Sequence, residues 1–136
     1  MAEKSSNKVW DPLRRRQVSL TPEERVRQWF IWVLAQECGI PMHMMMSEAA
    51  FSLGDKNYRA DIIVYRRDLS PWVVVECKRP EVALDEAVLD QAIRYNMVLG
   101  VDFIIITNGN GTLCLERGED GTYAPVEVLP LWKNLQ

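Results

Sequence analysis

The stretch Trp72-Val73-Val74-Val75-Glu76-Cys77-Lys78 decides how this chain is to be read. A bulky aromatic followed by three valines favours a strand. Side chains in a strand alternate between faces, so Glu76 and Lys78 point one way while Val75 and Cys77 point the other. Val73, Val75 and Cys77 are placed to enter the core, and Trp72 and Val74 share the face of Glu76 and Lys78. An acid and a base that end an apolar stripe suggest a site at a strand end. Taken alone, Glu-x-Lys in a strand has a commoner explanation, an ion pair across one face.

Asp61 gives the pair a second meaning. It begins the run Asp61-Ile62-Ile63-Val64-Tyr65, and the polar segment Arg66-Arg67-Asp68-Leu69-Ser70-Pro71 links that run to the next strand as a hairpin loop. The start of one strand then lies beside the end of the other, which brings Asp61 next to Glu76. Two like charges have no reason to adjoin unless a cation sits between them. Hard oxygen ligands suit Mg²⁺ or Mn²⁺ and disfavour zinc. Mg²⁺ keeps several waters, so two carboxylates and one backbone carbonyl, most simply that of Cys77, suffice. Lys78 is then placed to orient or deprotonate a metal-bound water, or to steady charge developing on a phosphate oxygen.

Around this centre the chain reads as one domain. Thr21-Pro22-Glu23-Glu24 is a helix start, with Thr21 as cap, Pro22 at the first position and Glu24 where a capping-box carboxylate belongs. Val26, Phe30, Val33 and Leu34 recur at helical spacing, Trp29 widens the stripe, and Gly39 and Pro41 end it. Residues 47–53 alternate weakly, Gly54-Asp55 marks a turn, and Tyr58 to Tyr65 is a clearer strand. A second helix is predicted from about Leu84 to Leu99, stopped by Gly100. Phe103-Ile104-Ile105-Ile106-Thr107 reads as a buried central strand. Asn108-Gly109-Asn110-Gly111 is a turn, Leu113 to Glu116 another strand, and a short strand follows near Tyr123. The αβββαβ order predicts an α/β domain over residues 21–136, a mixed central β-sheet flanked by helices.

With 48% hydrophobic and 26% charged residues in 136, wholesale disorder is excluded and a single core is expected. No apolar run approaches the ~20 residues of a membrane helix, and no signal peptide is evident, so the expected location is the cytoplasm. Cys38, Cys77 and Cys114 are odd in number and form no CxxC pair, which fits reduced, partly buried thiols. The net charge of −3 argues against indiscriminate binding to polyanions, but residues 1–27 hold seven Lys/Arg against four Asp/Glu. Residues 1–20 are therefore expected to be a basic arm, extended or flexible, able to touch phosphates through Arg14, Arg15 and Arg16. Arg25, Arg27 and Arg79 are further candidates. Such contacts position a duplex without reading its sequence.

Asp61 with Glu76-Cys77-Lys78 resembles the Asp…(Asp/Glu)-x-Lys signature of the PD-(D/E)xK nuclease superfamily. More specifically, Thr21 to Gln28, Tyr58 to Tyr65, Val75 to Pro80, Gln91-Ala92-Ile93-Arg94-Tyr95-Asn96 and Thr107-Asn108-Gly109 are similar, in the same order, to the nuclease region at the N-terminus of type I restriction enzyme R subunits. The likeness covers roughly residues 20–117. It implies a restriction-endonuclease-like core and metal-dependent hydrolysis of DNA in a restriction-modification setting. It also implies that an acidic residue of the first helix completes the metal site, with Glu24 the match and the capping box its competing role. Gln91 and Tyr95 match a Gln-x-x-x-Tyr element beside such sites, and helical spacing places Gln91 on the stripe that holds Ala92 and Leu99. Ala60 stands where the signature has proline.

Type I R subunits continue into an ATP-driven motor, and these 136 residues contain no GxxxxGK[ST] loop. The expected partners are DNA and a separate motor or specificity subunit. A nuclease fold kept as a silent module that binds nucleic acid or a partner protein is the alternative, and hydrolysis of RNA or nucleotides stays open. His43 is the only histidine, which leaves little room for a histidine-based triad.

Overall fold

In the computed structural model, which describes residues 7–135, the chain begins with a small hairpin of β1 (Lys8–Asp11) and β2 (Arg16–Ser19). Residues 8–19, expected as an extended or flexible arm, are thus ordered. The Asp11 carboxylate accepts from the Leu13 N–H and pairs with Arg14, which closes the turn and leaves Asp11 fully buried. Residues 1–6 of the expected arm lie outside the described residues.

Helix α1 (Pro22–Gln36) starts where its sequence signals place it. Thr21 Oγ1 accepts from the Glu24 N–H at 3.1 Å, and Pro22 occupies the first turn. Strands β3 (Met45–Leu53), β4 (Lys56–Tyr65) and β5 (Pro71–Cys77) follow as an antiparallel meander. Helix α2 (Glu86–Asn96), capped by the Asp85 carboxylate on the Val88 N–H, is shorter than predicted and continues as a 3-10 turn over Met97–Leu99. It carries the chain across to β6 (Phe103–Thr107), which lies parallel to β5, and β7 (Thr112–Arg117) and β8 (Tyr123–Val126) return antiparallel. The sheet order is β3-β4-β5-β6-β7-β8, so the expected αβββαβ order and mixed sheet are present.

The two helices cover opposite faces. Val26, Phe30, Val33 and Leu34 of α1 share a core with Ile62, Val64, Val73, Val75, Cys77 and Ile105. Ala92 of α2 shares the other with Ala60, Ile63, Val74, Ile104 and Ile106. Burial of Ile104, Ile105 and Ile106 on both faces accounts for their unbroken apolar run. Cys38, Cys77 and Cys114 are buried free thiols. Among the described residues no helix is long and apolar enough to cross a membrane.

One expectation about β5 is corrected. Trp72 does not share the face of Val74 and Glu76 but packs in the α1-side core. Val64 pairs with Val73 and Tyr65 with Pro71, so Trp72 is an extra residue, a bulge that resets the alternation. The displaced ring packs edge-on against Phe103 and Trp132.

Candidate active site

The β4–β5 register pairs Ile62 with Val75, so its continuation by one residue sets Asp61 opposite Glu76. The antiparallel hairpin brings them together across fifteen positions of sequence, and the bulge at Trp72 lies too far along to disturb them. Asp61 Oδ2 accepts from the Cys77 N–H at 2.7 Å. Asp61, Glu76, Cys77 and Lys78 line one cleft of about 290 Å³, together with Glu23, Arg59, Gln91, Tyr95 and Asn96.

Each carboxylate has a cation beside it. Glu76 Oε2 lies 2.6 Å from Lys78 Nζ, the same-face pair that Glu-x-Lys spacing permits. Asp61 Oδ1 lies 3.6 Å from Arg27 Nη2. The Asp61 side chain is only 20% exposed. Burial pushes its carboxyl up to about 6, opposed by the Cys77 N–H and the Arg27 charge and assisted by Glu23 and Glu76. Asn96, buried on the inner side of α2, donates to Glu76 Oε1 at 3.1 Å and to the Ala92 carbonyl at 2.8 Å.

The strand exit is fixed from the neighbouring turn. The Lys78 N–H donates to the Thr107 carbonyl at 2.8 Å. Asn108 folds the turn onto itself by accepting from the N–H groups of Asn110 and Gly111, and its amide donates to the Val82 carbonyl at 2.8 Å. Thr107-Asn108-Gly109 therefore holds the loop that leaves Lys78. Gly109 is in the left-handed region (φ 88°), and a Cβ there would meet Val26 at 3.3 Å.

Several residues singled out in the sequence sit elsewhere than expected. Gln91 is exposed at the cleft rim, not on a core-facing stripe, because the buried side of α2 runs through Ala92 and Asn96. Tyr95 is 41% exposed, and its hydroxyl accepts from the Arg59 N–H at 2.9 Å. Glu24 does not line the cleft. Its carboxylate accepts from Arg14 Nη2 at 2.7 Å and Gln28 Nε2 at 2.9 Å, which ties α1 to the hairpin. Only the backbone half of the capping box forms, and the carboxylate nearest the site on α1 is that of Glu23.

Arg27, a candidate phosphate contact, is 4% exposed and bridges Glu48 Oε2 at 2.9 Å, Ser47 and Asp61. A buried guanidinium committed to carboxylates is not available at the surface, and Arg14, half-buried, is likewise taken up by Asp11 and Glu24. Glu48 accepts Arg27 from a left-handed backbone (φ 54°). Burial opposes its ionisation, but the hydrogen bond and charge of Arg27 win and hold its carboxyl below the ordinary range. Arg15, Arg16 and Arg25 are exposed, and Arg79 pairs with Glu81 at 2.6 Å.

Asn96, Arg27 as a neighbour of Asp61, and Glu48 are what residue-by-residue reading missed. The signal for Asn96 was available, since it stands four residues after Ala92 and so shares its buried side.

A mixed sheet between two helices, with Asp61, Glu76 and Lys78 at the end of its central antiparallel hairpin, defines a restriction-endonuclease-like α/β domain. The chain belongs to the family of type I restriction enzyme R protein N termini, which matches residues 22–130. Its structure is similar to a fragment assigned as the HsdR subunit of a type I restriction enzyme from Vibrio vulnificus YJ016, with a TM-score of 0.61 and 21% sequence identity. The likeness covers 85% of this chain and 24% of that one, so it extends to about a quarter of the longer protein. No curated protein matches the chain.

Proposed function

We propose that this chain is a Mg²⁺-dependent DNA endonuclease-like domain that hydrolyses phosphodiester bonds. One observation carries the reading: Asp61, Glu76 and Lys78, distant or merely alternating in sequence, line a single polar cleft with Gln91 and Tyr95.

The residues fit a hard divalent cation. Asp61 is a mostly buried carboxylate opposite a second carboxylate, and burial raises its proton affinity, so a bound cation in place of the proton would offset the cost of its buried charge. Among the described residues no three His, Cys, Asp or Glu side chains are grouped to hold a metal. The donors this reading needs are Asp61, Glu76 and the Cys77 backbone carbonyl, a sparse all-oxygen set that suits Mg²⁺ or Mn²⁺ better than zinc. A bound ion would supply Lewis-acid polarisation of a phosphate and lower the pKa of a water. Lys78, beside Glu76, would orient the attacking water or stabilise charge on a phosphate oxygen. Arg27 and the Cys77 N–H hold Asp61 in place, Asn96 holds Glu76, and Gln91 and Tyr95 shape the rim where the phosphate backbone enters. Glu24, fully engaged by Arg14 and Gln28, is left out of the donor set.

The test is cleavage of supercoiled, linear and single-stranded DNA with Mg²⁺ or Mn²⁺ by the wild type, Lys78→Ala and Asp61→Ala. Loss of cutting by roughly a hundredfold or more in both variants is expected. Cutting that survives in both, or no divalent-ion binding up to about millimolar concentration, would sink the reading.

A second reading rests on the ion pairs of the site: Lys78 and Arg27 already balance the two carboxylates. In that reading the chain is a silent module that binds DNA or a subunit of a restriction complex, such as a separate motor or specificity subunit. DNA affinity that falls steeply with salt, without cleavage in either metal, would select it.

A further inference from the structure

We propose that a second, shallower groove beside the cleft seats the DNA strand as it leaves the active site, with Lys56 and Arg94 as its phosphate contacts. The inference rests on the nuclease reading for the direction of the strand, and on separate residues for the contact itself.

The groove, about 420 Å³, is lined by Lys56, Asn57, Tyr58, Gln91, Arg94 and Tyr95. Gln91 and Tyr95 also line the cleft that holds Asp61, Glu76 and Lys78, so the two depressions adjoin at these two side chains. One wall is β4. From Asp61 back to Lys56 the strand extends about 17 Å, the rise of about five base pairs. The other wall is the exposed side of α2, where Arg94 and Tyr95 each stand one turn beyond Gln91.

Charge decides the occupant. The molecule as a whole is acidic, with a net charge of −3, yet this lining contains two cations and no carboxylate. Asp55 and Asp90, the acids nearest in sequence, do not line it. Among the described residues neither Lys56 nor Arg94 is engaged in an ion pair, whereas Arg14, Arg27, Arg66, Arg79 and Arg117 are. Two cations without carboxylate partners, at the mouth of a cleft that would handle phosphodiesters, suit a polyanion backbone. Two aromatic rings form the floor. Tyr58 is braced by stacking on Phe51 at 5.4 Å and meets Tyr95 edge-on at 5.4 Å. The Tyr95 hydroxyl is fixed by the Arg59 N–H. Such rings offer sequence-tolerant contact to sugars or bases next to a held phosphate. The contacts are therefore of the positioning kind, without base readout.

The experiment uses the full chain and a fluorescein-labelled mixed-sequence DNA duplex. Anisotropy is measured in EDTA, so that no cutting interferes, between about 50 and 200 mM salt. Lys56→Ala/Arg94→Ala is compared with wild type and with Lys133→Ala, an exposed lysine in the 3-10 turn at the other end of the sheet. Both groove side chains project to solvent or the surface groove, and unchanged thermal melting checks that the fold is intact. The expected result is an affinity loss of about tenfold or more and a salt slope reduced by about 2, close to 0.9 for each phosphate contact. Lys133→Ala should change neither. Wild-type affinity and slope in the double variant, an equal loss in Lys133→Ala, or no wild-type binding at the lowest salt would each overturn the groove. Cleavage of the same duplex with Mg²⁺ is read in parallel. Wild-type cutting with a groove-independent affinity removes the groove and leaves the nuclease reading. Groove-dependent binding with no cutting removes the nuclease reading and leaves the groove.

Discussion

The two faces of the sheet carry helices of similar kind and opposite use. Under α1 the chain spends large apolar side chains, and Phe30, Ile31 and Leu34 are at most 1% exposed. Under α2 only Ala92 and Asn96 are fully buried, and Leu89, Ile93 and Leu99 cover the sheet in part. The first face is built for packing energy. The second is a light lid that leaves the middle of β4 and the end of β5 open and places polar groups, Gln91, Tyr95 and Asn96, around them. Stability and chemistry thus sit on different faces of the same strands, and alternation along β5 separates them: Val75 and Cys77 face α1, Glu76 and Lys78 face the cleft.

If that division holds, substitutions on the two faces should have opposite profiles. The largest effect on stability is expected from Phe30→Ala, a loss of about 3–5 kcal/mol in denaturant unfolding, with the cutting rate per folded molecule changed less than about twofold. An equally large drop in rate per folded molecule would break the comparison.

Asp61→Asn should act the other way. Asp61 holds its proton to about pH 6 in the folded chain against an ordinary value of 3.8, so the native state binds more protons between those values. Stability contributed by this group is complete below about pH 4 and is lost as pH rises through 6. In the absence of divalent ions the asparagine variant should be more stable than wild type above pH 6, by roughly 2–3 kcal/mol at most, and the difference should vanish near pH 4. The ion-induced rise in melting temperature expected of the wild type should disappear with it. A variant less stable than wild type at pH 8 would show that the Arg27 contact outweighs desolvation.

Asn96→Ala removes one bond to Glu76 and one to the Ala92 carbonyl. A stability loss of about 1–2 kcal/mol is expected, with a cutting rate lowered about tenfold as Glu76 loses its orientation. Asn96→Gln, too long for the same geometry, should not restore the rate. The smallest effect belongs to Tyr95→Phe, which deletes one exposed hydroxyl contact to the Arg59 N–H. Its cost should stay near 0.5–1 kcal/mol, and a larger one would mean that the lid is more than a light cover.

Much of this was legible in residue order. Thr21-Pro22 announced the helix start, and the unbroken Phe103–Thr107 run announced a strand buried on both sides, because each signal is local to its own segment. The juxtaposition of Asp61 with Glu76 was legible too, since a six-residue hairpin loop leaves few registers open. The roles of Arg14, Glu24, Arg27 and Gln91 were not. Whether an arginine meets solvent or a carboxylate depends on which distant chain folds over it, and here β3 and the N-terminal hairpin do so.

What the sequence by itself determined is the order of elements, the apolar periodicity that divides the faces, and the residue types gathered at one strand end. Each follows from backbone geometry and burial within a few residues. Only the tertiary structure decided that Trp72 leaves its expected face through a bulge, that Arg27 and Glu48 brace the wall behind Asp61, and that Asn96 reaches Glu76 from α2. These depend on contacts between segments far apart in the chain, where the free energy of pairing a buried charge or seating a large ring outweighs local preference.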